Sequence, residues 1–497
     1  MLFNSIDFLL FFPLVVCVFF LIPKKLRCVW LLVSSYYFYM SWNPKYALLI
    51  ALSTVITYLS GLFIDKCSSN TYKKFIVAGS LISNLLILGI FKYANFAIYT
   101  LSAVLQRAGF APIDKRLDLL LPVGISFYTF QALSYTLDVY KGRIKAEKNL
   151  IRYALFVSFF PQLVAGPIER SGHLLRQIQN IDKLRLWNYQ RVRDGVLLMF
   201  WGLFQKLVIA DRASLLVNEV YDHYQSYGFL EISIATFLFA FQIYCDFAGY
   251  TNIARGASNV MGFELMQNFR QPYFAISIKD FWRRWHISLT SWFTDYLYIP
   301  LGGNRKGDVR KYINIFIVFI VSGLWHGASW NFIVWGFVHA VYQVAGDIKD
   351  KLTDKVKVLK NSNNSLRLND KNSLLFSDRL LRIIITFILV DIAWVFFASS
   401  SLRQALDMLI QMFTSFQMAS IYEIGLDRGN WFMFWFGVGI LTVVDVCHEM
   451  GKSIFAMVNK QLLYFRWLLY LGLIWSVIMF GIYGSKYDTS QFIYFQF

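Results

Sequence analysis

The chain has 497 residues, 57% of them hydrophobic and only 16% charged, with a mean hydropathy of +0.48. A soluble globular domain carries about 25% charged residues, so the composition excludes one and points to an all-α polytopic membrane protein. The net charge of +18 does not indicate nucleic-acid binding, because the basic residues cluster in short segments between apolar runs, as in cytoplasmic loops beside anionic lipid.

In chain order, "MLFNSIDFLLFFPLVVCVFFLIPKK" comes first. Its basic residues follow the apolar run and no small-x-small site precedes them, so a spanning helix is expected rather than a cleaved signal. Spans are expected near 4–23, 27–42, 45–64, 75–94, 119–138, 149–165, 195–211, 231–250, 312–331, 332–346, 381–399, 430–447 and 463–483. A spanning helix needs about 20 apolar residues and several of these are short, so about 11 are expected to cross, the rest being re-entrant or interfacial. "PKKLR" (23–27), "DKCSSNTYKK" (65–74) and "KGRIKAEK" (141–148) are expected on the cytoplasmic side, which puts the N-terminus outside. Lys92, Arg107, Lys115 and Arg116 sit against that simple alternation.

Residues 166–194 are too polar to span and too rich in Leu, Ile and Trp for a free linker, so an interfacial or cytosol-facing helical segment is expected there. Residues 251–311 contain no plain span, and 347–380 read as a cytoplasmic loop, partly helical and then flexible across its Asn/Ser stretch. No internal repeat appears, which disfavours an inverted-repeat transporter. The chain reads as one integral domain, 1–497, with a core at 120–346 and C-terminal helices over 381–497. The five cysteines form no closely spaced pair and read as small hydrophobes, with no disulfide framework and no metal site. Cys245 and Cys447 have no adjacent base that would make them acyl carriers.

Three stretches hold residues capable of chemistry. In "SIKDFWRRWHISLTSWFTDYLYIPLGGNRKG" (277–307) the apolar positions over 278–293 keep a helical period, with Trp282 and His286 four apart on one flank. An interface anchor accounts for Trp282, Trp285, Arg283 and Arg284, and less well for His286. In "SGLWHGASWNFIVWGFVHA" (322–340) small residues surround His326, which lets another helix or a substrate come close, and Trp330 is expected one turn below it. An ionisable residue at such depth is a functional candidate, although histidines also join helices structurally; His339 reads as structural. In "FQIYCDFAGYTNIARGASNVMGFELMQNFRQPYF" (241–274), Asp246 is followed by Tyr250, Asn252 and Arg255; Arg255 and Arg270 are candidates to pair with Asp246 or with donor phosphates. "FFPQLVAGPIERSG" (159–172) reads as a shaped turn at a membrane face, and Asp391 is a further carboxylate within an apolar run.

Two histidines without paired carboxylates suit direct attack of an alcohol on a thioester, which needs a base and a group to hold the carbonyl oxygen. His326 suits the base; His286, Asn304 or a backbone amide are the candidates to orient or polarise the donor. Trp282, Arg283, Trp325, Asp246, Tyr250 and Arg255 complete the candidate substrate-binding set.

Four stretches, "FFPQLVAGPIER" (159–170), "QIYCDFAGYTNIARG" (242–256), "NFRQPYFAISIKDFWRRWHISLTSWFTDYLYIPLGGNRKG" (268–307) and "SGLWHGASWNFIVWG" (322–336), together resemble the membrane-bound O-acyltransferase (MBOAT) family, in its bacterial alginate O-acetyltransferase-like branch. The resemblance implies a many-helix bundle around a central cavity, with an acyl donor reaching it from one side and a hydroxyl acceptor from the other. It places the family's essential histidine on His326 and a second on His286, where many eukaryotic relatives have asparagine. It further implies a bacterial cytoplasmic-membrane enzyme with no bound cofactor, an acetyl-CoA or carrier-protein thioester donor, an envelope polysaccharide acceptor and an extracytoplasmic esterase-like partner. D-alanyl transfer to teichoic acid, and acyl transport with a partner completing the reaction, are the alternatives.

Overall fold

The computed structural model describes residues 1–113, 116–362, 376–416, 424–483 and 492, and among these all regular structure is helical. Six described helices are long and apolar enough to cross a membrane: Pro44–Lys66, Asn70–Arg107, Phe229–Met261, Phe376–Ala398, Arg428–Glu449 and Leu463–Phe480; Ile6–Leu21 is apolar but shorter. Helices that are apolar on every side belong in lipid. Leu463–Phe480 is such a helix, with Leu468 65% and Trp475 57% exposed. The chain is an all-α, multi-pass membrane protein.

Several boundaries differ from those expected, each for a local reason. The span placed at 75–94 belongs to a helix running from Asn70 to Arg107, because a π-helical turn at Gly89–Tyr93 carries it past Lys92 without a break. The span placed at 149–165 ends at Ser158. Beyond it the segment 159–169 folds into a buried turn, with Glu169 fully enclosed and accepting from His173 (2.7 Å) and the Met266 amide (2.5 Å). Segment 166–194 is broken into the short turns Ser171–Leu175, Arg176–Gln179 and Ile181–Lys183 before the helix Tyr189–Leu203 begins. The expected loop at 347–380 starts as helix, since Trp330–Ser362 is continuous; its Asn/Ser stretch over 363–375 lies outside the described residues, as does Lys115.

The chain forms two compact units. The first comprises Met1–Asp211, Ile243–Gln267 and Val458–Phe497; the second comprises Arg212–Gln242 and Asn268–Met457. In the first, Tyr189–Leu203 lies against the second half of Phe229–Met261 at backbone distance. A Cβ on Gly202 would stand 2.5 Å from the Gly249 carbonyl oxygen, and one on Gly256 2.5 Å from that of Gly195. Glycine at all four positions is what allows the approach. In the second unit the helices Asp308–His326 and Trp330–Ser362 form a hairpin packed the same way. A Cβ on Gly323 would overlap the Phe332 carbonyl, and one on Gly336 that of Phe319.

Overpacking a tight contact costs about 1–3 kcal/mol. Gly323→Ala and Gly202→Ala are each expected to lower the melting temperature of the detergent-solubilised protein by several degrees. Gly79→Ala, with nothing within 4 Å of the added Cβ, is expected to leave it unchanged or raise it slightly. Fluorescence-detected size-exclusion after heating reads both outcomes.

Candidate active site

His326 is the last residue of the helix Asp308–His326, and Gly327 turns the chain out of the helix in an extended conformation (φ −159°, ψ 149°). A Cβ on Gly327 would strike the Phe332 ring, so any side chain here would have to displace that buried ring. Trp330 therefore does not continue one turn below His326; it starts the returning helix and is 47% exposed. Asn331 anchors that start, donating to the carbonyls of Phe396 (3.2 Å) and Ser399 (2.8 Å) and accepting from the Ser329 hydroxyl. His326 itself is 4% exposed. A base that accepts a proton becomes a cation, and a helix C-terminus stabilises a nearby cation by about 0.3–1 kcal/mol.

The helix expected over 278–293 is two helices, Ile278–Arg284 and Ile287–Phe293, broken at Trp285 and His286. The apolar period runs through the break because both pieces bury the same kind of face, so periodicity alone cannot reveal it. His286 has φ +42° and, with Gln271, is one of two non-glycine residues at positive φ among those described. Such a conformation costs about 1–3 kcal/mol and persists only where the surroundings enforce it. Here the enforcing element is the segment 268–270. Ile287 N–H donates to the Asn268 carbonyl (2.9 Å), Ser288 N–H to the Asn268 side chain (3.3 Å), and Arg270 N–H to the Arg284 carbonyl (3.0 Å). Asn268 is fully buried. On the other side of the break, Arg284 is held by Asp280 (3.0 Å) and Glu449 (2.7 Å), and Glu449 also takes Arg379 (2.8 Å).

The break aims His286, 1% exposed, at the end of the hairpin. Its ring centroid lies 6.5 Å from that of His326 and 6.0 Å from Trp325. Trp325, Trp335 and Phe397 surround His326 at 5.0, 5.1 and 5.3 Å. These rings enclose the two imidazoles in apolar walls. Burial pushes the His286 imidazole down to about 3, so it is neutral throughout the neutral range, carrying one N–H donor and one acceptor nitrogen.

Of the other expected site residues in the second unit, Trp282 does not share a flank with His286. The break turns it instead to His339, to which its Nε1–H donates at 3.3 Å. Trp282 and Trp285 are 7% and 1% exposed, so neither is the headgroup-level anchor considered from the sequence. Arg283 is exposed on the outer side of its helix, and Asn304 is exposed in a loop tied down by Asn314, which donates to the Gly303 carbonyl (2.9 Å). His339 reads from the sequence as structural. It is fully buried, and Trp335 lies between it and His326, with ring centroids 5.0 Å and 5.1 Å away. The available signal was Trp335 and His339 four apart on one helical face. Asp391 is in the same unit, with its Oδ1 buried.

Asp246, Tyr250 and Arg255 belong to the first unit. Asp246 pairs with neither Arg255 nor Arg270. Its partner is the buried Lys206 (2.5 Å), which also holds Asp211 (2.8 Å) and lies 4.6 Å over the Phe492 ring. Lys206 was overlooked because it sits in the apolar run "LFQKLVIA"; a π-helical turn at Phe204–Ala210 carries it into the interior. Tyr250 stacks on Phe3 (4.6 Å), and Arg255 reaches the Asn252 side chain (3.5 Å). These contacts favour the internal salt-bridge reading for Asp246.

Two results are expected from His286. Asparagine visits the left-handed region more readily than other non-glycine residues, and a β-branched residue is an outlier there. His286→Asn should therefore fold at near wild-type yield and His286→Val should not, as monodisperse elution will report. The second concerns pH. With a folded value near 3 against 6.5 for a free imidazole, the unfolded chain binds a proton that the folded site refuses. Stability due to this group is thus constant above about pH 6.5 and falls as pH falls below it. Melting temperatures from pH 8 to pH 4.5 should drop more steeply for wild type than for His286→Asn.

The model of the membrane-bound O-acyltransferase family matches residues 145–369. The chain is 36% identical over 433 residues to the "Probable alginate O-acetylase AlgI" of Pseudomonas aeruginosa, which covers 86% of this chain and 78% of that protein. It is 34% identical over 413 residues to the peptidoglycan O-acetyltransferase of Helicobacter pylori, covering 78% of this chain and 73% of that one. The teichoic acid D-alanyltransferase of Bacillus subtilis is 30% identical over 251 residues, 48% of this chain and 62% of its own. By this likeness to full-length O-acetyltransferases, and by the family match across the paired histidines, the chain belongs to the membrane-bound O-acyltransferase family and is an acyltransferase.

Proposed function

We propose that the protein moves an acetyl group from a cytoplasmic acyl thioester, acetyl-CoA or a carrier-bound acetyl, to, or by way of a partner toward, hydroxyls of an extracytoplasmic envelope polysaccharide. The observation that carries this reading is the enclosed His286–His326 pair, with ring centroids 6.5 Å apart, in a chain of which 86% and 78% match relatives named for O-acetyl transfer. The relative named for D-alanyl transfer matches less than half of the chain.

In the proposed reaction His326 takes the proton of the acceptor hydroxyl as its oxygen forms a bond to the thioester carbonyl. The carbon–sulfur bond then breaks, and the thiolate leaves with the proton that His326 returns. No nucleophilic serine or cysteine and no net proton are required. His286, kept neutral by burial, is suited to donate its N–H to the carbonyl oxygen, where a neutral donor polarises without repelling a protonated His326. The walls of Trp325, Trp335 and Phe397 exclude water that would otherwise hydrolyse the donor.

The enzyme is proposed to sit in the bacterial cytoplasmic membrane with its N-terminus outside. An extracytoplasmic esterase-like protein is proposed as the partner that completes delivery to the polymer. Lipid surrounds the spans, and no cofactor beyond the donor is invoked.

The test is acetate labelling. A deletion strain carrying wild-type, His326→Ala or His286→Ala protein at matched membrane levels is fed ¹⁴C-acetate, and base-labile esters are counted in isolated wall and capsule polymers. Label restored by wild type and reduced at least about 100-fold by His326→Ala is expected for loss of a general base. Label that survives His326→Ala would remove His326 from the role. Absence of label with wild type would redirect the reading to another acyl group such as D-alanine.

A further inference from the structure

Arg27 opens the helix Arg27–Met40, directly after Lys24–Leu26, and is only 8% exposed. Its Nε and Nη1 are buried without a hydrogen-bond acceptor, and among the described residues it makes no ion pair. The Phe19 ring lies 5.8 Å from its guanidinium carbon, near the outer limit of about 6 Å for cation–π attraction. A guanidinium does not shed its proton in a protein, and an enclosed charge without a counter-charge is strongly disfavoured. The position compounds the deficit, because a helix N-terminus is itself electropositive. Among the described residues no carboxylate pairs with Arg27. Lys24–Leu26 and Arg27–Met40 both pack on the turn Ile181–Lys183, but the acid of that turn, Asp182, lies 4.0 Å from Arg152.

The surroundings identify the class of anion. Lys24 and Lys25 are exposed beside Arg27, whereas Leu21 and Leu26 expose 80% and 53% of their surface. Trp187, 73% exposed, packs edge-on against Phe20 at 5.1 Å. Basic groups next to bare aliphatic and indole surface form the pattern of a membrane boundary, where the cations meet phosphates and the apolar groups meet acyl chains. We propose that Arg27 holds the phosphate of an anionic phospholipid headgroup, with Lys24 and Lys25 beside it and the acyl chains along Leu21 and Leu26. Arg27 belongs to the first unit and the histidine pair to the second, and the proposal does not depend on the acyl group transferred.

The test uses the purified full-length protein in detergent, wild type and Arg27→Gln, supplied with dioleoylphosphatidylglycerol or dioleoylphosphatidylcholine. Lipid retained after gel filtration is counted by native mass spectrometry. Wild type should retain phosphatidylglycerol in preference to phosphatidylcholine. Arg27→Gln should retain it at least about tenfold less, as expected for loss of a charge-assisted partner. Equal retention by the two proteins would overturn the proposal. Should Arg27→Gln fail to fold, the wild-type preference is the readout, and its absence overturns the proposal equally. In a parallel arm, thermal protection by inorganic phosphate or coenzyme A that needs Arg27, without any phosphatidylglycerol preference, would assign the site to a soluble phosphate and reject the lipid.

Discussion

Backbone contact between the two helices of the histidine hairpin is the constraint on which the site depends. Gly323 and Gly336 let Asp308–His326 and Trp330–Ser362 approach until a single methyl would separate them. At that spacing His326, at the end of one helix, comes against Trp335 on the other, and Trp335 in turn against His339. Gly327 then reverses the chain where a side chain would meet Phe332. Wider packing would open a gap around His326 and admit water to an imidazole now 4% exposed. Small residues thus fix how dry and how rigid the surroundings of His326 are.

The second histidine is held by a different device. His286 occupies a left-handed backbone position that a continuous helix would never present, and Asn268 supplies the hydrogen bonds that keep it there. Storing conformational strain at a residue fixes its direction, because relaxing it would require giving up those bonds. Burial then removes its charge. Fixed direction and a neutral donor are the two properties an oxygen-holding group needs before substrate arrives.

Much of this was legible in the amino-acid sequence, and what was not has identifiable causes. The apolar runs mark most of the long helices, and an isolated imidazole in apolar, glycine-flanked sequence marks His326. The small residues around it were read as permitting close approach, which the hairpin bears out. The break at His286 was invisible because apolar periodicity reports a buried face and not the backbone torsion of one residue. Lys206 was missed because a cation inside an apolar run has no visible partner until the fold brings Asp246 and Asp211 to it. Arg283 and Asn304, candidates by proximity in sequence, are both exposed through helix phase and loop placement. Thirteen residues of separation conceal that His339 is a spatial neighbour of His326 by way of Trp335.

The central claim is that His286 and His326 act as one unit on one substrate. A double-mutant cycle in proteoliposomes tests it most directly, with acetyl transfer measured from a ¹⁴C-acetyl thioester to soluble glycan for wild type, His286→Asn, His326→Ala and the double variant, all verified as folded. Residues that act together are non-additive. The account predicts that the double variant is no slower than His326→Ala alone. Rate losses that multiply across the two substitutions would show independent roles and contradict it.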